Sequence, residues 1–183
     1  MNYNKINTVC VFCGASTGTN IAYERAARDL GTLIAQQGLR LVFGAGKIGM
    51  MGLVADAVIS GGGEAIGVIP TFLKDRELAH DNLTELHVVD SMHERKQLMC
   101  DLSDAFFILP GGLGTLDEAV EIITWAQLGR HKKPIIMIDT EGYWEPFHKL
   151  IENISKNGFA HGPITDHYTI AGDPAGAIAQ LSS

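Results

Sequence analysis

The sequence predicts an α/β fold, a parallel sheet held between two layers of helices, and three observations carry that expectation. Short, continuously apolar runs recur along the chain, as strands covered on both faces require. Longer stretches of helical periodicity separate them. Three of the runs end in glycine-rich or polar loops that lead into a helix, which is where parallel sheets gather ligands.

Taken in order, strands are expected at 7–12, 39–43, 65–69, 85–89, 105–109 and 134–138, with a short one at 168–170. Helices fill the gaps at 21–37, 49–60, 92–102, 116–128, 143–157 and 174–181. Ser91 and Glu94 form a capping box before the fourth predicted strand's following helix, Thr115 and Glu118 have the same spacing before the next, and Asp173 with Pro174 supply a cap and first position for the last. This is a three-layer Rossmann-like arrangement. With 183 residues, 46% of them hydrophobic, and no linker or repeat, residues 1–183 are expected to form a single domain.

Charge and cysteine usage narrow the function. A formal charge of −7 offers no global attraction to nucleic acid or an anionic membrane, so any anion must be held locally. No apolar stretch is long enough to span a bilayer and the start of the chain is polar, which points to a cytoplasmic protein. Cys10 and Cys13 form a C-x-x-C, but residues three apart on a strand point to opposite faces, so they are expected to be buried and reduced, as is Cys100.

The loop after the second predicted strand carries Gly44, Gly46 and Gly49 in the G-x-G-x-x-G spacing of dinucleotide sites. Its context argues against a nicotinamide cofactor. The acidic residue about twenty positions on, Glu64, precedes the next strand instead of ending it, and the motif follows the second strand, not the first.

Pro110 to Glu118 reads P-G-G-L-G-T-L-D-E between the apolar run 105–109 and a helix. Its glycines let backbone approach a ligand closely, and the helix start offers N–H groups to a phosphate. Asp117 and Glu118 beside such an anion suggest chemistry, although the capping box by itself explains Thr115 and Glu118. Arg95 and Lys96 follow Ser91 at the start of their helix, where cations are unfavourable without a partner; a phosphate would serve, and solvent is the plain alternative.

S-M-H-E-R-K, then P-G-G-L-G-T-L-D-E fifteen residues beyond Arg95, then T-W-A-Q-L-G from Thr124, together resemble the LOG family of cytokinin riboside 5′-monophosphate phosphoribohydrolases, often mislabelled lysine decarboxylases. The resemblance extends from C-V-F-C-G-A-S through G-M-M-G to K-K-P, and departs at Ala45, where many relatives have glycine. It implies hydrolysis of the N-glycosidic bond of an N6-substituted adenosine 5′-monophosphate, giving free base and ribose 5-phosphate, with no cofactor and no metal. It also implies a homodimer whose ligand is a nucleoside 5′-monophosphate, with neither nucleic acid nor membrane as a partner. Carried over by position, the substrate contacts are Glu77, Arg95, Lys96, Gly111, Gly112, Leu113, Gly114, Thr115, Leu116, Asp117, Glu118 and Thr124, with Arg95 and Glu118 as the catalytic pair.

Chemistry restricts those roles. A carboxylate near the anomeric carbon stabilises an oxocarbenium-like state and orients water, which suits Glu118. Arg95 does not release its proton at working pH, so it acts as an electrostatic stabiliser. Glu118 cannot do this while remaining a tight cap on Thr115. Thr124 lies six residues on, about 240° around an ideal helix, so the two residues do not face one pocket within one chain; a neighbouring subunit resolves this, with Trp125 and Leu128 in either an interface or the core. Two other functions fit the motifs: hydrolysis of AMP or another ordinary nucleotide, and carriage of a phosphate-bearing cofactor, such as the molybdenum cofactor, without hydrolysis.

Overall fold

The computed structural model describes residues 6–74, 79–160 and 162–181. Seven strands form one parallel sheet: β1 (Thr8–Phe12), β2 (Arg40–Phe43), β3 (Ala65–Pro70), β4 (Glu85–Val89), β5 (Ala105–Ile108), β6 (Ile135–Ile138) and β7 (Thr169–Ala171). Their order across the sheet is β4-β3-β2-β1-β5-β6-β7. The chain therefore builds outward from β1 to one edge, returns beside β1 at β5, and builds to the other edge. The reversal between β1 and β5, paired from Val9↔Ala105 to Phe12↔Ile108, makes their carboxyl ends the crevice where such sheets bind ligands.

Helices α1 (Ile21–Gln36), α2 (Gly49–Ser60), α4 (Met92–Asp101), α5 (Leu113–Gln127), α6 (Glu145–Lys156) and α7 (Pro174–Gln180) match the expected set; a four-residue turn, α3 (Thr71–Lys74), is added after β3. Alternation along β1 divides the core. Val9, Val11 and Cys13 pack with α1, α2 and α7, while Cys10 and Phe12 pack with α4, α5 and α6. The two cysteines of C-x-x-C thus lie in opposite cores, and all three cysteines are buried and unpaired. On the first face α1 and α2 approach closely, since a Cβ on Gly31 would stand 2.4 Å from the Val54 carbonyl oxygen.

Two predicted helix starts are corrected. α6 begins at Glu145, after a 3-10 turn over Thr140–Gly142, two residues later than its apolar pattern suggests. α5 begins at Leu113, not at 116, with Gly112 as an N-cap that makes no side-chain bond. Thr115 is then already helical, so the Thr115–Glu118 capping box does not form. The caps of the other two helices do form: Glu94 N–H donates to Ser91 Oγ (3.1 Å) while Glu94 Oε2 accepts from Asp90 N–H (3.0 Å), one residue before the N-cap, and Asp173 Oδ1 accepts from Gly176 N–H (2.7 Å).

Candidate active site

Three loops converge over the switch point and are stitched together by backbone. Gly14 N–H donates to the Pro110 carbonyl (3.1 Å), joining the β1 and β5 loops, and Met50 N–H donates to the Gly14 carbonyl (3.1 Å), joining the start of α2 to both. A cleft of about 380 Å³ opens between them. Its walls are Val11, Cys13, Ala15 and Ser16 from β1 and its loop, Gly44 and Met51 from the second loop and α2, Leu73, Met92 and Arg95, and Gly112, Gly114, Thr115 and Glu118 from α5. The expectation that all three loops face one crevice holds.

The glycines of the P-G-G-L-G-T loop divide into two kinds. Gly111 is closed in: a Cβ there would be 2.2 Å from Thr115 Oγ1 and 2.8 Å from the Gly14 nitrogen. Gly112 and Gly114 face open space, with nothing within 4 Å of an added Cβ. The first intrahelical bond of α5 runs from Leu116 N–H to the Gly112 carbonyl, so Leu113, Gly114 and Thr115 present N–H groups with no acceptor inside the helix. Bare backbone, helix dipole and unscreened N–H groups coincide at the cleft, as anion binding requires.

Asp117 and Glu118 sit in the second turn of α5, not its first, because the helix starts earlier than its sequence suggests. Glu118 is half-buried and lines the cleft. Its carboxylate makes itself felt beneath the loop: burial first, and then the Glu118 charge, pushes the Cys10 and Cys13 thiols well above their ordinary range. Those thiols are inert at neutral pH and contribute no nucleophile.

Arg95 is only 4% exposed. Its Nε donates to the Val68 carbonyl (3.1 Å) and its Nη2 to the Gly44 carbonyl (2.9 Å), which fixes the guanidinium at the carboxyl ends of β2 and β3. A Cβ on Gly44 would lie 2.0 Å from that Nη2. Gly46 is closed in by Met51 and Gly49 by Ala15, so the G-x-G-x-x-G glycines serve packing and the seat of Arg95. Ala45 occupies the left-handed region (φ 65°), is fully buried and does not line the cleft.

Lys96 is not left to solvent: its ammonium bridges Asp117 (2.9 Å) and Glu121 (2.9 Å) on α5. Burial alone would push the ammonium pKa down, but the bonds to Asp117 and Glu121 outweigh it and hold the pKa above the ordinary lysine value. Thr124 is exposed on α5, outside the cleft, with its hydroxyl donating to the Val120 carbonyl (2.7 Å). Trp125 belongs to the core, beneath the Arg130 guanidinium, whereas Leu128 is 71% exposed. Glu77 lies outside the described residues. Sequence reasoning missed Met51, Leu73 and Met92, whose apolar side chains carry no signal that separates cleft from core.

A larger hollow of about 770 Å³ lies around His131–Ile136 and Asp166–Ile170, where β6 and β7 begin. It lies at the opposite ends of the strands from the three converging loops. Among the described residues no group of His, Cys, Asp and Glu is arranged to hold a metal, and no helix is long and apolar enough to cross a membrane.

A family model described as possible lysine decarboxylase matches residues 51–181. A cytokinin riboside 5′-monophosphate phosphoribohydrolase of Rhodococcoides fascians is 43% identical over 177 residues, covering 96% of this chain and 89% of that protein. One from Arabidopsis thaliana is 43% identical over 172 residues, 94% of this chain and 80% of that protein. Among solved structures, the molybdenum cofactor carrier protein of Chlamydomonas reinhardtii superposes with a TM-score of 0.72 at 20% identity, over 97% of both chains, and a molybdenum cofactor binding protein of Rippkaea orientalis with 0.71 at 22%, over 97% and 96%; at those identities the likeness is one of fold. With identity above 40% spread along almost the whole chain, and the two motifs meeting at one cleft, the chain belongs to the LOG family.

Proposed function

We propose that the protein hydrolyses the N-glycosidic bond of cytokinin riboside 5′-monophosphates, releasing the N6-substituted base and ribose 5-phosphate. The observation that carries this reading is the meeting of Arg95, Glu118 and the open N-terminus of α5 in one cleft at the β1/β5 switch point. In this reading the phosphate rests on the N–H groups of residues 113–115, and Gly112 and Gly114 let it approach. The ribose then lies within reach of Glu118, whose carboxylate stabilises the oxocarbenium-like sugar and orients the attacking water. Arg95, anchored on the Val68 and Gly44 carbonyls, stabilises negative charge on the departing base or the phosphate. Glu77 and Thr124 complete the proposed contacts.

A homodimer supplies Thr124. Leu113 (85% exposed), Val120 (45%), Thr124 and Leu128 fall within about 80° of one another around the α5 axis, with exposed Asp117 among them, on a face turned away from Glu118. An antiparallel second copy along this face sets its Thr124 beside Leu113 at the start of α5, next to the Gly112 and Gly114 that line this cleft. A cytoplasmic location fits three buried, unpaired cysteines.

Incubation with N6-isopentenyladenosine 5′-monophosphate and, separately, AMP tests the reading. Free base and ribose 5-phosphate should appear in equal amounts, with the higher kcat/KM for the substituted nucleotide. Preference for AMP makes the protein an ordinary nucleosidase, and tight retention of either nucleotide without turnover makes it a carrier.

A further inference from the structure

We infer that Tyr143 is a positioning residue whose hydroxyl locks the Gly111–Gly112 peptide of the glycine loop; the nature of the anion, a nucleotide 5′-phosphate, rests on the hydrolase reading, but the geometry does not.

The Tyr143 hydroxyl donates to the Gly111 carbonyl, 32 positions earlier in the chain. That peptide needs a lock. It joins two residues without Cβ, which turn over at little steric cost, and it leads into α5, whose N-cap Gly112 makes no side-chain bond. A planar trans peptide directs its carbonyl and its N–H to opposite sides, so a Gly111 carbonyl held toward Tyr143 also sets the direction of the Gly112 N–H. The carbonyls on either side are held by backbone: Gly14 N–H donates to that of Pro110 and Leu116 N–H to that of Gly112. Between them, the Gly111 carbonyl is held by a side chain.

The chain before Tyr143 is shaped to place it. After β6 the turn Thr140–Gly142 puts both Glu141 (φ 57°) and Gly142 (φ 71°) in the left-handed region, a strained conformation for Glu141. Trp144 N–H donates to Asp139 Oδ1 (2.6 Å) across this turn. The Tyr143 ring then stands edge-on to Tyr23 of α1 (centroids 5.5 Å apart) and to buried Trp144 (5.0 Å), contacts that steady the hydroxyl. Tyr143 and Tyr23 line a separate hollow of about 240 Å³ that shares only Ser16 and Gly112 with the cleft. Tyr143 therefore acts on the anion through the loop and not by touching it.

Titration of ribose 5-phosphate and of N6-isopentenyladenine into the wild-type and Tyr143→Phe proteins tests the lock. Phenylalanine keeps the ring and its edge-on contacts and removes only the hydroxyl. The Kd for ribose 5-phosphate rises about three- to tenfold, as the loss of one hydrogen bond implies, while the Kd for the free base, which carries no phosphate, is unchanged. For the nucleotide, KM rises by a similar factor and kcat stays within about twofold, because the phosphate is gripped equally in ground and transition states. In crystals of Tyr143→Phe the 111–112 peptide is turned over or divided between two orientations. An unchanged Kd for ribose 5-phosphate overturns the inference, as does an equal loss for the free base or a peptide that keeps its single orientation. A wild-type protein that releases no base removes the hydrolase reading, while the peptide orientation in the two crystal structures still decides the lock.

Discussion

A Cβ on Gly44 would stand 2.0 Å from Arg95 Nη2, so the identity of this glycine is set by the guanidinium and not by a dinucleotide. The atom in the way is the far end of a side chain, and Gly44 does not occupy the left-handed region, so Gly44→Ala should fold normally and displace Arg95. The expected result is a kcat lowered about 10- to 100-fold with a melting temperature close to that of the wild type, measured by base release and calorimetry. A large loss of melting temperature would contradict it. The same spacing in the sequence had two readings, a cofactor fingerprint or packing, and only the third dimension shows which neighbour each glycine spares. Ala45 is instructive in another way: its methyl group is buried in the left-handed region, where the departure from glycine strains backbone without touching the cleft.

At the scale of elements, strands and helices were legible because a parallel sheet covered on both faces leaves apolar runs that need no alternation. The α5 start was not. Thr115 and Glu118 have the capping-box spacing, but Gly112 and Gly114 already make the turn, and the Thr115 hydroxyl is packed against Gly111. What was a conflict for Glu118, cap or catalyst, disappears once the helix begins three residues earlier. Lys96 was legible as a cation in need of a partner, but the partner lies 21 and 25 positions further along the chain on another helix, beyond the reach of local patterns. The outer stripe of α5 carries a prediction of its own. Leu128→Asp places a charge in the proposed dimer face and should shift the protein to monomer in analytical ultracentrifugation, with base release falling as Thr124 of the second copy is lost. A monomeric wild type, or a dimer indifferent to the substitution, contradicts that interface.

Over the whole molecule, a net charge of −7 and an anionic substrate are compatible only if attraction is local, and the architecture supplies the locality. The switch point gathers three loops, the start of α5 provides oriented N–H groups, and Arg95 places a full positive charge beside them in a site partly shielded from water. The motifs disclosed the ingredients; the strand order β4-β3-β2-β1-β5-β6-β7 brings Arg95, which follows β4, to Glu118, which follows β5. The most direct test is a crystal structure of the Glu118→Gln protein with N6-isopentenyladenosine 5′-monophosphate, where loss of the carboxylate preserves the bound nucleotide. The account predicts phosphate oxygens on the N–H groups of residues 113–115 and the anomeric carbon facing the residue 118 side chain. A nucleotide bound elsewhere, or one whose sugar turns away from residue 118, contradicts it.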